Sequence, residues 1–312
     1  MSYSLSEINE RCTIDPQQFI IDCDRVYARR LERAADQIME NMANSPIVLL
    51  SGPSGSGKTT TAMKICEVLE DRGIHTHIIS MDDYFKTVSP ETTPRTASGA
   101  YDLESPLCLD MDLLNQHFTA LSEGKRIYVP KYDFVHQTRL MRMGRSLQLQ
   151  KNEVVVFEGI HALNDAITDV HPEAFKLYIS ARSNVVDDSG REVFKGTWMR
   201  LVRRVVRDYL FRGTAAQNTL AQWANIRRGE KLYISPYKGK ANLQFDSSFP
   251  YEVPVLNNTV TDLFASMPES TPRYQELRSI VPAFAKFVDI SPDLLADDSL
   301  LREFIGGGKY KY

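Results

Sequence analysis

Gly52-Pro-Ser-Gly-Ser-Gly-Lys58-Thr59 decides the fold of this chain. It matches the pattern G-x-x-x-x-G-K-[ST] at every position, a loop that wraps phosphate oxygens in backbone N–H groups. Glycines permit the wrapping because a positive φ costs them little. The lysine can reach the β- and γ-phosphates, and the Thr59 hydroxyl can hold Mg²⁺. Both flanks agree with that reading. Pro46-Ile-Val-Leu-Leu-Ser51 is a short apolar run and predicts a buried strand, while Thr60 to Glu70 carries Ala62, Ile65, Cys66 and Leu69 at helical spacing. A loop that opens a helix sets its phosphates at the positive end of the helix dipole. An ordinary Gly/Ser turn seldom meets all these constraints. The expected phosphate-binding set is Gly52, Ser54, Gly55, Ser56, Gly57, Lys58, Thr59 and Thr60, and the expected ligand is a nucleoside triphosphate.

Outward from this loop, further β-branched runs of strand length occur at His75–Ser80, Glu153–Glu158 and Phe175–Ser180. Strands separated by helical stretches predict an α/β fold with a parallel sheet covered on both faces. Asp15-Pro16 suits a helix start, and residues 17 to 41 continue without Gly or further Pro. Lys86 to Gly99 is rich in Thr, Ser and Pro and reads as a polar loop. Residues 126–132 and 146–150 can pair as an added hairpin. The expected division is a helical extension over 1–44, a nucleotide-binding core over 45–258 and a helical cap over 259–312.

The 312 residues suffice for a sizeable core, and 43% hydrophobic with 25% charged residues is ordinary globular composition. No apolar run approaches the roughly 20 residues that span a bilayer. The start, Met-Ser-Tyr-Ser-Leu-Ser-Glu, has neither a basic nor an apolar stretch, so no secretory signal is expected. A net charge of −3 gives no general reason to bind nucleic acid or a membrane. Four scattered cysteines suggest neither zinc nor disulfides, which predicts a reducing, cytoplasmic setting.

A phosphate loop does not by itself separate kinases from switches and motors. Asp82 and Asp83 follow a predicted strand, at the sheet edge where ligands bind. One of them is placed to take a proton from an attacking hydroxyl or to hold a metal; the plainer reading is a helix cap. Glu158 ends another strand, with Gly159 allowing a sharp turn, and can orient Mg²⁺ beside Thr59. Its plainer reading is an exposed strand-end acid. Arg200, Arg203, Arg204 and Arg207 fall on one helical face opposite Leu201, Val202, Val205 and Val206, and Arg212 follows. Such a stripe is usually a solvated face. Beside a phosphate loop it is also what a lid needs to neutralise transferring phosphate. Tyr132, Asp133, Phe134, His136, Gln137 and Arg139 bring aromatics and charges into one short stretch that can stack on a planar or sugar substrate, with His136 by itself more simply a surface residue.

Taken in order, these segments resemble the phosphoribulokinase/uridine kinase family of P-loop kinases, and within it bacterial uridine kinase-like proteins. The resemblance runs through Gly52–Thr59, Ser80-Met-Asp-Asp-Tyr-Phe85, Tyr101-Asp102, Pro130–Phe134 with Arg139, Phe157-Glu-Gly159 and Arg203–Gly213, over about residues 45 to 255. Asp298-Ser-Leu-Leu-Arg-Glu-Phe-Ile-Gly-Gly307 resembles their tail. It implies a five-stranded parallel sheet, a mobile lid, and transfer of the ATP γ-phosphate to a hydroxyl of a small molecule such as a nucleoside. It further implies Asp82 as general base; Thr59, Asp82 and Glu158 around Mg²⁺; Asp102, with Tyr101 beside it, and Arg204 on sugar hydroxyls. Tyr132 would line the base pocket, Gln222 would lie near the substrate, and Arg207 and Arg212 would meet phosphates from the lid; by residue type alone, Phe134 can stack beside Tyr132, and Asp133 and Arg139 can fix the substrate's orientation. A homo-oligomer is compatible with the family. Where uridine-cytidine kinases carry a base-reading His, this chain has Gln137, with His136 one residue earlier; where they carry an Arg after the Arg-Gly pair, it has Thr214. A non-nucleoside acceptor (a sugar phosphate, pantothenate or a polyol) and a nucleotide-binding regulator are the alternatives.

Overall fold

The computed structural model describes residues 2–140, 144–265 and 267–311. The chain opens with strand β1 (Ser2–Ser4) and helices α1 (Leu5–Ile14) and α2 (Pro16–Asn41). Asp15 caps α2 by accepting from the Gln18 N–H, and Pro16 supplies a preset first turn. Phe19, Cys23, Tyr27, Leu31, Ala34 and Ile38 recur every three or four residues along α2 and are buried. Next come β2 (Ile47–Ser51), the phosphate loop, α3 (Lys58–Asp71) and β3 (His75–Ser80). After the polar loop and α4 (Met111–Ser122) there are four two-residue strands, β4 (Ile127–Tyr128), β5 (Tyr132–Asp133), β6 (Thr138–Arg139) and β7 (Ser146–Leu147). Pairing of β4 with β7 and of β5 with β6 makes the expected hairpin a nested pair of antiparallel ladders.

The core resumes with β8 (Glu153–Glu158), α5 (Asp165–Thr168), β9 (Phe175–Ser180), β10 (Asn184–Val186), β11 (Glu192–Phe194), α6 (Gly196–Phe211), α7 (Ala216–Tyr233) and β12 (Leu243–Asp246). Five strands form one wholly parallel sheet in the order β12-β9-β2-β8-β3. The fifth strand, β12, has no strong pattern of its own in the sequence. Alternate residues of β2 serve opposite faces. Val48 and Leu50 join Ala62, Ile65, Leu201, Val205 and the buried side of α2; Ile47 and Leu49 join Leu114, Phe118 and Leu121 of α4. Each such fully buried apolar side chain stabilises the fold by about 1.5–3 kcal/mol.

The chain ends in α8 (Glu252–Ala265), α9 (Tyr274–Phe284) and α10 (Arg302–Ile305). The expected boundary after residue 258 falls inside α8. Side chains from both flanking segments (Ile20, Leu31, Ile280, Phe304) pack in the same apolar cluster as the sheet. The four cysteines are free and buried, and no described helix is long and apolar enough to cross a membrane.

Candidate active site

Gly52 ends β2 against β9 so tightly that a Cβ there would lie 2.1 Å from the Ile179 carbonyl oxygen. Only glycine passes this point. Gly57, at φ 75°, turns the chain into α3. The loop is braced from outside. Arg200 donates to the Ser54 carbonyl at 3.3 Å, Arg203 to the Gly55 carbonyl at 3.2 Å, and Ser247 to the Ser56 carbonyl at 2.5 Å. With these three carbonyls drawn outward, the loop can offer N–H groups inward, as an anion site requires, while the Pro53 carbonyl accepts from the Ser56 N–H and from Lys58.

Those contacts correct the expected arginine stripe. Arg200 and Arg203 are buried, with bonds to Glu230 at 2.9–3.0 Å and to Glu252 at 2.5 and 2.8 Å. Buried guanidinium needs a carboxylate partner, and α7 and α8 supply one each. Helix α6 is therefore enclosed on the side expected to face solvent. Arg204, Arg207 and Arg212 do line a cavity of about 370 Å³ that begins at the phosphate loop. Asp208 gathers all three, at 3.3 Å from Arg204, 2.9 Å from Arg207 and 3.7 Å from Arg212.

Lys58, Thr59, Asp82 and Glu158 share this cavity with Ser54, Gly55 and Gly57. Strand order explains the convergence, since β2, β8 and β3 are neighbours and each delivers its residue from its C-terminal end. Burial pushes the Glu158 carboxyl up to about 7, against the pull of Lys58, with Asp82 adding to the rise. Burial raises Asp82 as well, again opposed by Lys58. Lys58 is lowered by its own burial, with Glu158 and Asp82 resisting. Asp82 and Asp83, adjacent in sequence, part company here. Asp83 accepts from the Tyr132 N–H at 3.3 Å and pairs with Lys131 at 3.3 Å, tying the hairpin down.

At the other end of the cavity stand Phe85, Tyr132 and Phe134, with ring centroids 5.1–6.4 Å apart, and Gln137. Gln137 has a φ of 52°, unusual for a residue with a side chain, while His136 turns back onto Asp133 at 2.7 Å. Thr87, Val88, Leu103 and Leu107 also line the cavity, as does Glu104, which lies within electrostatic reach of Arg204 and Asp82.

Four expected substrate residues are not brought to the cavity. Arg139 donates to the Phe85 and Tyr84 carbonyls and pairs with Asp110 at 2.7 Å, so it holds the hairpin on the core. Asp102 is buried and accepts from Arg228 at 2.5 Å and Tyr233 at 3.0 Å. Tyr101 lies under the Arg95 guanidinium, and Gln222 is exposed on α7. Of the phosphate-loop set, Gly52 is a packing point, Ser56 is buried, and Thr60 donates to Glu303 at 2.5 Å. Arg204 donates to the Ser54 hydroxyl at 2.6 Å rather than reaching toward the aromatic end. Sequence reasoning missed Phe85, Glu104, Asp208 and Glu303. Phe85, Asp208 and Glu303 lie within quoted stretches, but Glu303, like Glu104, reaches the cavity only through tertiary packing.

Residues 47–252 match the model of the Phosphoribulokinase / Uridine kinase family. Similar proteins include a uridine kinase from Saccharomyces cerevisiae, 32% identical over 192 residues, covering 61% of this chain and 34% of that protein. The chain thus spans about a third of the yeast relative. A uridine kinase from Staphylococcus haemolyticus is 29% identical over 204 residues, covering 65% of this chain and 87% of that protein. Among solved structures, a putative fructose transport system kinase from Silicibacter sp. TM1040 shares the fold, with TM-score 0.51 and 17% identity over 69% of this chain and 98% of that one.

Proposed function

This chain belongs to the Phosphoribulokinase / Uridine kinase family, ATP-dependent kinases with a hydroxyl acceptor, and we propose that its acceptor is the 5′-hydroxyl of a uridine- or cytidine-like nucleoside. The observation that carries this reading is the continuity of one cavity, from the phosphate loop past Asp82 to the aromatic trio Phe85, Tyr132 and Phe134. A base can stack on such rings while its sugar lies against Asp82. In this assignment the loop N–H groups and Lys58 bind the β- and γ-phosphates of ATP. Asp82 takes the proton of the attacking hydroxyl, a task that its burial and raised pKa suit. Arg207 and Arg212 neutralise charge on the transferring group.

Thr59, Asp82 and Glu158 are the residues that would hold Mg²⁺. Their hard oxygens suit that ion, and Asp82 raises the Glu158 carboxyl, so a cation between the two would relieve their repulsion. When bound, Mg²⁺ supplies charge neutralisation across the β- and γ-phosphates.

A second reading, a non-nucleoside hydroxyl compound, is favoured by the state of Asp102. The carboxylate expected on ribose hydroxyls is engaged by Arg228 and Tyr233. A panel of uridine, cytidine, a sugar phosphate, pantothenate and a polyol, scored by ADP release with MgATP, separates the two. Stimulation by uridine or cytidine above the others is the expected result. A strong response confined to a non-nucleoside would replace the acceptor assignment.

A further inference from the structure

The residue that closes the donor end of the cavity comes from near the opposite end of the sequence. Glu303, on the single turn of α10, is mostly buried and lines the cavity beside Lys58. Its Oε2 accepts from the Thr60 hydroxyl at 2.5 Å, and its Oε1 lies 4.0 Å from the Arg207 guanidinium. The segment that carries it is fixed at many points. Leu300 lies where a Cβ on Gly57 would be, at 2.8 Å, and the Phe304 ring sits 5.1 Å from the Arg203 guanidinium. Arg302 donates to the Leu295 and Pro292 carbonyls. Farther along α3, Lys64 pairs with Asp298 at 2.6 Å, and Glu67 takes Lys309 at 2.9 Å and Tyr310 at 2.8 Å. The tail is thus laced along the helix that the phosphate loop opens.

A carboxylate at this point needs a reason, because it faces the place where a triphosphate must bind and like charges repel. The arginines supply one. Arg207 enters the cavity with its Nε and one terminal nitrogen held by Asp208 at 3.1 and 2.9 Å, while its other terminal nitrogen is the one facing Glu303. A guanidinium bonded on one edge by Asp208 and faced on the other by the Glu303 charge is preorganised, and preorganised charge stabilises a transferring phosphoryl group without reorganising at the moment of reaction. We infer that Glu303 is a positioning residue of the donor site, whose carboxylate links the Thr60 hydroxyl at the start of α3 to Arg207 and sets where that guanidinium meets the phosphates. The tail segment around it is then a working wall of the nucleotide site.

This inference rests on the donor half of the proposed function and needs no acceptor. Its test is a double-mutant cycle of Glu303→Gln and Arg207→Gln, read as MgATP affinity by titration calorimetry. Glu303→Gln keeps the shape and an acceptor for Thr60 but loses the charge that faces Arg207. The expected result is coupling of about fivefold or more, with Arg207→Gln weakening ATP binding less in the Glu303→Gln background than in the native one. Melting curves verify that each variant is folded. Glu303→Asp repeats the cycle with the charge kept but drawn back by one methylene, and coupling is expected there too. Independent effects in both cycles, multiplying within about twofold, would overturn the assignment. If the native protein binds ATP but phosphorylates no acceptor, the acceptor reading falls and the cycle still decides the role of Glu303. If the native protein binds no ATP, both fall.

Discussion

The two ends of the cavity are built in different ways. At the donor end, Lys58, Thr59, Asp82 and Glu158 arrive from three adjacent strands, and each stands at or just beyond a strand's C-terminal end. Their convergence follows from the parallel sheet. At the acceptor end the lining comes from a polar loop, a short hairpin and α7, joined by single contacts such as Arg139 to Asp110 and Arg228 to Asp102. A motif next to a strand states its own position in space, whereas a loop residue gains one only from its partners. The proposed phosphate chemistry is therefore specified locally, and the proposed acceptor recognition through tertiary structure.

The sharpest way to break this contrast lies at the donor end. Asp82→Asn should lower turnover by roughly 10²–10⁴-fold and Lys58→Ala by roughly 10²–10³-fold, measured by ADP release with the best acceptor of the panel. Near-native turnover in folded Asp82→Asn protein would remove Asp82 from its assignment as base.

Acid should find a buried histidine behind the cavity lining. His161 is buried 6.4 Å from the Tyr233 ring, and burial holds its imidazole down to about 4. The unfolded chain binds this proton near pH 6.5 and the folded one only near 4, so the stability it contributes is present above pH 6.5. That stability is lost as pH falls toward 4, by about 3 kcal/mol in all. Glu104, raised by burial, titrates with the opposite sign, so the readout is a difference. Urea unfolding of the native protein should lose stability from pH 6.5 to 4 relative to His161→Phe. Parallel curves for the two proteins would refute the assignment.

Arg139→Ala separates the two ends within one protein. Losing its bonds to Asp110 and the Tyr84 and Phe85 carbonyls should raise the acceptor KM about tenfold, while the ATP KM stays within about twofold. Equal changes in both constants would mean that the hairpin supports the whole site. The smallest effect is expected at Gln222, exposed on α7 and away from the cavity lining. Gln222→Ala should leave both constants within about twofold, and a large acceptor defect would show that α7 moves inward during turnover.

The same contrast explains what was legible in the sequence. Strands β2, β3, β8 and β9 are β-branched or apolar runs with clear ends, and each was readable to within a residue. Leu243–Asp246 offers only two apolar residues, and its place at the sheet edge beside β9 comes from pairing. Periodicity identified α6 correctly but not its surroundings. A row of arginines reads as solvent-facing until Glu230 and Glu252 arrive from helices 30 and 49 residues away. Tyr132, Phe134 and Gln137 reach the cavity as expected. Asp102 and Arg139 do not, because each is engaged by a partner on another element, which no spacing rule announces. Glu303 is the extreme case, legible only as part of a tail.

That tail has a consequence for how the protein is made. Thr60 and Glu303 are 243 residues apart, and Tyr3 bonds the Ser248 carbonyl across 245. During synthesis Thr60, where the phosphate loop opens α3, emerges 243 residues before Glu303. A nascent chain that has not reached residue 303 therefore carries the Gly52–Thr59 loop without the group that faces Arg207. Contacts of such long separation form late and slowly. Assembly of the proposed ATP site is thereby deferred until residue 303 has been made.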